Sequence, residues 1–242
     1  MWTSDPSLAL LIDLVVPRVQ AHGCWPQTLL LSDVLSAGEC ANIINALEGT
    51  GGFGAAKAIA TGNRNNDVLV WIAPPELMSI LWARVGPMLR SAIPAAHALN
   101  ARLRVYRYQP GQDFKAHHDA SQPPSTLSPA TVPENASASQ TVCEGTGQRS
   151  SHSLLLFLNS GSGESFKSGS QGEGGSAITG AGSFCGGATA LYPNGDAGAP
   201  VRITPRAGCG LVFPHGEPPR SLLHAGEKVT AGTKYVLRTD LF

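Results

Sequence analysis

From Leu103 to the end, the chain reads as a series of short apolar or alternating runs separated by Gly- and Pro-containing turns. The candidate strands are 103–109, 114–118, 153–158, 188–192, 200–203, 210–213, 221–224 and 234–240. Runs this short cannot bury enough surface alone, and their turn spacing predicts an antiparallel sandwich or barrel. The 28 Gly and 18 Pro among 242 residues fit a fold with many tight connections.

The first hundred residues have a different character and are expected to be mainly helical. Residues 5–20 carry leucines at helical spacing, with Ser4 or Asp5 as cap and Pro6 in the first turn. Ser36 and Glu39 form a capping-box pair at the head of a helix reaching about Glu48. Residues 75–93 place Leu77, Ile80, Leu81, Val85 and Leu89 on one stripe, with Gly86-Pro87 as a point of kinking or breakage. Strands are expected at 28–32 and 68–72. Helices before and strands after predict an α+β domain with the helices packed on one face of the sheet structure. No composition break divides it, so 1–242 is expected to be one domain, with 1–100 supporting a core at 101–242.

Two segments interrupt the strand series. Residues 121–151 are rich in Ser, Thr, Pro and Ala, and residues 160–183 are dominated by Gly and Ser. Neither has apolar periodicity, so both are expected to be flexible inserts. The first follows Asp119 directly, which places it where it could cover a site.

Charge and cysteine usage narrow the function class. Lys plus Arg and Asp plus Glu are 17 each, and a neutral balance argues against a dedicated nucleic-acid surface. Five cysteines without paired or zinc-type spacing are expected to be reduced thiols. The apolar run Leu8–Val16 is interrupted by Asp13 and is too short to span a bilayer. An intracellular protein, cytoplasmic or nuclear, with no membrane partner and acting as a monomer, is the expectation.

The chemistry-bearing stretch is Tyr108-Gln-Pro-Gly-Gln-Asp-Phe-Lys-Ala-His-His-Asp119. In an extended chain, His117 and Asp119 project to the same side. An imidazole beside a carboxylate is two thirds of a 2-His-1-carboxylate iron site, which leaves positions open for substrate and oxygen. His118 projects to the other face. A further histidine has to come from elsewhere: His97 belongs to the helical part, His215 to a Phe-Pro-His-Gly turn, His152 begins an apolar strand, and His224 ends the strand Ser221-Leu-Leu-His224.

The segment Leu223-His-Ala-Gly-Glu-Lys-Val-Thr-Ala-Gly-Thr-Lys-Tyr-Val-Leu-Arg-Thr-Asp240 resembles the closing part of the Fe(II)- and 2-oxoglutarate-dependent oxygenases of the prolyl 4-hydroxylase type. There a His is followed by Gly, Val and Gly, with a Lys ten residues after the His. The pattern Tyr108-x-x-Gly111-x-x-Phe114-x-x-His117-x-Asp119 is similar to the family's central motif. The family usually has Tyr at the position of Phe114, and often Glu where Ala188 stands. Intermediate strands match at Leu154–Asn159, Gly186–Thr189 and Pro205–Pro214. The resemblance covers roughly residues 103–242, with a weaker echo at 36–48.

This resemblance implies a double-stranded β-helix (jelly-roll) core. It implies that His117, Asp119 and His224 bind Fe(II), and that Lys234 pairs with the distal carboxylate of 2-oxoglutarate. Tyr108 and Thr189 match cosubstrate-contacting positions, with Tyr106 an alternative to Tyr108. It further implies a dioxygenase that consumes O2 and 2-oxoglutarate, releases succinate and CO2, and is supported by ascorbate. Its substrate would be a protein side chain such as peptidyl proline. The alternatives are a small molecule or nucleobase with the same cofactors, and a catalytically silent binding module. Arg64, Asn65, Asn66 and Tyr235 are candidate substrate contacts: the first three form a polar loop, and the fourth follows Lys234.

Overall fold

The computed structural model describes residues 18–21, 23, 25–55, 62–125, 147–162, 183–195 and 198–242. The elements run β1 (Arg18–Ala21), β2 (Leu29–Ser32), α1 (Ala37–Gly49), β3 (Gly54–Ala55), β4 (Asp67–Ile72), α2 (Pro75–Ala92), β5 (Arg102–Tyr108), β6 (Phe114–His117) and β7 (His152–Phe157). They continue with β8 (Gly161–Ser162), β9 (Phe184–Gly186), β10 (Thr189–Tyr192), β11 (Val201–Ile203), β12 (Gly210–Pro214), β13 (Leu223–Gly226), β14 (Val229–Ala231) and β15 (Lys234–Leu241).

Among the described residues, the strands form an eight-stranded sheet ordered β1-β2-β12-β7-β15-β5-β4-β3 and a four-stranded sheet ordered β11-β10-β13-β6. A small three-stranded sheet, β14-β9-β8, completes them. The long central strand β15 pairs with β7 on one side and β5 on the other although more than 70 residues separate it from either in the chain, so the core is built from non-local pairing.

Strand alternation divides the large sheet into two faces. Leu103, Val105, Leu154, Leu156, Val212, Leu237 and Leu241 share one apolar cluster with Cys40, Ile44 and Leu47 of α1 and Leu81, Val85 and Leu89 of α2. On the other face Leu155, Phe157, Leu211, Phe213 and Val236 cluster with Leu191 of β10, and Val201 and Ile203 of β11 pack against them. Every residue of β7 is buried, which is what a strand covered on both sides requires.

α1 carries the expected cap. The Ser36 side chain accepts from the Glu39 amide, and Glu39 accepts from the Ser36 amide. Glu39 is buried because it also pairs with Arg84 of α2 at 2.9 Å, while Arg84 donates to the carbonyl of Val34. α2 runs through Gly86-Pro87 as one helix. The turn before β12 relies on Gly208 at φ +77°, where a Cβ would lie 1.9 Å from the Leu35 carbonyl oxygen.

Three expectations change. The helix expected at 5–20 falls largely outside the described residues, but its last residues, 18–20, lie in the strand Arg18–Ala21, which pairs antiparallel with β2. Cross-strand pairing with a buried partner overrides the local helical spacing there. The first hundred residues also supply β1 to β4, which extend the large sheet at both edges, so this part is less helical than its leucine spacing implied. β8, β9 and β14, two or three residues long, are too short to register as periodic runs. Most of the inserts, 126–146 and 163–182, lies outside the described residues. The first is closed at its base by reciprocal bonds between Gln122 and Ser150.

Candidate metal centre

The site lies where β6 and β13 pair. His117 and His224 are register partners in this antiparallel pair, so both imidazoles start from adjacent backbone positions on one face. Asp119, two residues past His117, reaches the same point. The ligating atoms of His117, Asp119 and His224 all lie within 4.8 Å of one another. His117 Nε2 is 3.5 Å from Asp119 Oδ1, and His224 Nε2 is 3.5 Å from Asp119 Oδ2.

The ring tautomers follow from the backbone. His117 Nδ1 lies 2.8 Å from the Lys115 carbonyl, and His224 Nδ1 lies 3.0 Å from the Leu222 carbonyl. A carbonyl only accepts, so each Nδ1 carries the proton and each Nε2 turns a lone pair to the common centre. That donor set, two neutral imidazoles and one carboxylate, suits Fe(II). Burial pushes His224 down to about 4, more than Asp119 raises it, which keeps the ring neutral and its Nε2 lone pair available. Phe114 stacks on His117 with ring centroids 3.6 Å apart and fixes that ring's plane. His118, on the opposite face, is exposed.

Asp119 is buried and held by two side-chain donors. Burial opposes its ionisation, but the opposing effects, led by the charge of Arg238, hold the carboxyl well below its usual range. Arg238 donates to Asp119 Oδ1 and also to Asp240. Ser153 donates to Asp119 Oδ2 at 2.6 Å. With that proton committed, His215 Nδ1 donates to Ser153 Oγ at 2.9 Å, and His215 Nε2 accepts from Ser150 at 2.8 Å. Burial lowers His215 from its ordinary value, consistent with a neutral ring in this relay. His152 stands apart; its Nδ1 meets Ser151.

Lys234 enters from β15 on the same side. It is 2% exposed, with its Nζ bonded to the Gly187 carbonyl at 2.7 Å and 5.1 Å from the centre of the Tyr108 ring. Burial pushes it down to about 7, with Glu227 opposing. Among the described residues no carboxylate pairs with it. Gly187, at φ +62°, leaves the space: a Cβ there would press on Val229, Phe184 and the Lys234 stem at 2.9 to 3.2 Å. Tyr106, Tyr108, Thr189 and Lys234 line one cavity with His117, Asp119 and His224. Burial drives Tyr108 far above its ordinary value, so it remains a neutral hydroxyl.

The other candidates separate. Arg64 lies beside the site, with its guanidinium 5.5 Å from the Phe114 ring centre and 6.0 Å from that of Tyr106. Asn66 is buried, donates to the Asp67 carbonyl, and lines neither cavity at the site. Asn65 ties the loop to β6 by accepting from the Asp113 amide. Tyr235 is corrected by strand alternation: it faces away from Lys234, packs on Phe53 and donates to Glu48 at 2.8 Å. Sequence reasoning passed over Arg238 and Ser153, and weighed His215 only as a possible third ligand. Arg238 sits four residues after Lys234 on the same face, and that spacing was the available signal.

No family model and no curated protein matches the sequence. Solved structures do. The viral collagen prolyl hydroxylase vCPH from Paramecium Bursaria Chlorella virus-1, in a 2-oxoglutarate (2OG) complex, is 21% identical, with 89% of this chain and 95% of that chain covered and a TM-score of 0.51. A prolyl hydroxylase from Trichoplax adhaerens, in complex with a hypoxia inducible factor oxygen degradation domain peptide fragment, is 16% identical over 90% and 84%, with a TM-score of 0.55. A 2OG-Fe(II) oxygenase family oxidoreductase from Burkholderia pseudomallei is 17% identical over 93% and 92%, with a TM-score of 0.51. The chain therefore has the jelly-roll fold of the prolyl hydroxylases and 2OG-Fe(II) oxygenases, and it gathers a His-Asp-His set at the pairing of β6 and β13.

Proposed function

We propose that this protein is an Fe(II)- and 2-oxoglutarate-dependent dioxygenase that hydroxylates an unactivated C–H bond of a peptide side chain, with prolyl as the leading class. The observation that carries the reading is a pair: a triad of two Nε2 lone pairs and a carboxylate, buried at Asp119 and His224, and beside it a buried ammonium without a carboxylate partner among the described residues. A buried unpaired cation is costly, and a bound carboxylate would remove that cost.

His117, Asp119 and His224 would hold the metal. Bound there with 2-oxoglutarate and O2, it supplies the oxidation in which one oxygen atom enters the substrate C–H bond and the other enters succinate as CO2 leaves. Lys234 would hold the distal carboxylate of 2-oxoglutarate, with the Thr189 and Tyr108 hydroxyls available to its oxygens. Arg238 and Ser153 keep Asp119 ionised and oriented. The Lys115 and Leu222 carbonyls fix the imidazole tautomers. Phe114, Leu155 and Val236 give the cavity apolar wall, which would help to keep bulk water from the metal. Helices α1 and α2 would back the large sheet and hold β5 and β15 in place. A peptide substrate accords with the Trichoplax neighbour, which holds a peptide fragment.

The test is turnover of 2-oxoglutarate by purified protein with Fe(II) and ascorbate, followed as succinate. His117→Ala and Asp119→Ala should each abolish it; undiminished succinate in both variants would overturn the assignment.

A further inference from the structure

A second cleft, of about 250 Å³, adjoins the metal centre; Tyr106, Phe114 and Arg238 line both. Its walls carry four guanidinium groups, Arg64, Arg102, Arg104 and Arg238, and among the described residues no acidic side chain. Alternation on β5 places Arg102, Arg104 and Tyr106 on one face, and Val68 and Val70 of β4 are cross-strand partners of Tyr106 and Arg104.

The charges are unevenly compensated. Arg238 is committed to Asp119 and Asp240, and Arg104 to Asp240 and Gln122. Arg102 and Arg64 have no carboxylate partner among the described residues. The Nε–H groups of Arg64, Arg102 and Arg238 are buried without an acceptor. Burial, then the charge of Arg104 beside it, lowers Arg102 from its ordinary value. Like charges gathered with unmet donors cost free energy, and an anion removes that cost through charge-assisted bonds.

Resting on the oxygenase reading above, we infer that this cleft receives a carboxylate of the substrate on Arg64 and Arg102 and so presents a neighbouring C–H to the metal centre. Two features select a carboxylate over a nucleic-acid phosphate. The whole chain is neutral, so the positive charge is confined to a cleft and does not form the basic surface that tracks a polyanion. The cleft lies below the usual range for drug-sized ligands and suits one or two amino-acid side chains. The carboxylate could belong to an acidic side chain in a peptide or to a small organic acid.

Calorimetric titration separates these sources without turnover. Protein loaded anaerobically with Fe(II) and saturating 2-oxoglutarate, which occupies the Lys234 side, is titrated with capped tetrapeptide pools that differ only in Glu or Gln at one fixed position. N-acetylglutamate, N-acetylglutamine and a thymidylate trinucleotide complete the set. At least one acid should bind about tenfold or more tightly than its amide, and the preference should shrink with salt and be lost in Arg64→Gln and Arg102→Gln. A Glu pool stronger than N-acetylglutamate assigns a peptide; the reverse order assigns a small acid. Arg64 lies in a loop, so its variant keeps the test decisive if Arg102→Gln does not fold, as melting curves will show. Acids binding no better than their amides, a preference surviving both substitutions, or a tighter trinucleotide would each overturn the inference. If wild-type protein forms succinate but prefers no acid, the cleft assignment fails alone. If the acid preference holds without any succinate, the oxygenase reading fails alone.

Discussion

Arg238 joins Asp119 to Asp240: one guanidinium nitrogen donates to a carboxylate of the metal centre and the other to a fully buried aspartate two residues along the same strand. A cation buried between two carboxylates is stable only as a set, because removal of one member leaves uncompensated charge in a low-dielectric interior.

Arg238→Met should therefore lower unfolding free energy by about 3–5 kcal/mol. It should also raise the Asp119 pKa, so that metal binding requires a higher pH than in the wild type. Urea denaturation and cobalt(II) titration across pH 5 to 8 (about the range where both variants should stay folded) check the two effects. A loss under about 1 kcal/mol would show that the network is not needed for stability.

In its proposed role, the buried Lys234 should make 2-oxoglutarate binding and stability respond to pH in opposite directions. Its folded value, about 7, lies below its ordinary 10.5, so the folded protein binds fewer protons than the unfolded chain between these values. The penalty is complete below about 7 and is relieved as pH rises through the window, by at most about 1.4 kcal/mol per pH unit. As proposed, binding of 2-oxoglutarate would need the ammonium form, so above pH 7 affinity should fall and each binding event should take up a proton. Calorimetry in two buffers of different ionisation enthalpy measures the uptake. Lys234→Met should raise KM for 2-oxoglutarate and flatten the alkaline rise in stability.

His152 is a second pH-sensitive group, independent of the metal centre. Burial first, then His215, lowers it to about 4, and its Nε2 is buried without a partner. Its folded value lies below the unfolded 6.5, so its contribution is complete above 6.5 and lost as pH falls toward 4. His152→Phe should lessen the acid sensitivity of the melting temperature in that window. An unchanged slope from pH 6.5 to 4 would remove His152 from the explanation.

Tyr235 adjoins Lys234 in sequence but serves the other face. Tyr235→Phe removes its bond to Glu48. It should cost about 0.5–1.5 kcal/mol, while KM for 2-oxoglutarate and turnover stay unchanged. A raised KM would return Tyr235 to the site.

Much of this architecture is legible locally because strand alternation and turn chemistry act over few residues. The runs that became β5, β7, β12 and β15 stand out as apolar or alternating segments. The capping box of α1 is written in Ser36 and Glu39. His117 and Asp119 share a face by their spacing alone. What the spacing could not supply was the third ligand, since four distant histidines were available and only the register of β13 on β6 sets His224 opposite His117. Another of the four, His215, is placed instead behind Asp119, two hydrogen bonds away through Ser153.

The sequence by itself determined that β5 has a polar and an apolar face. Only the tertiary structure decided that Arg102 and Arg104 turn inward to a cleft while Leu103 and Val105 meet the helix-side core. The physical reason is that alternation has no sign: a strand of period two fits either way up until partners more than a hundred residues distant, here β15 and its buried Asp240, fix which side is covered by what.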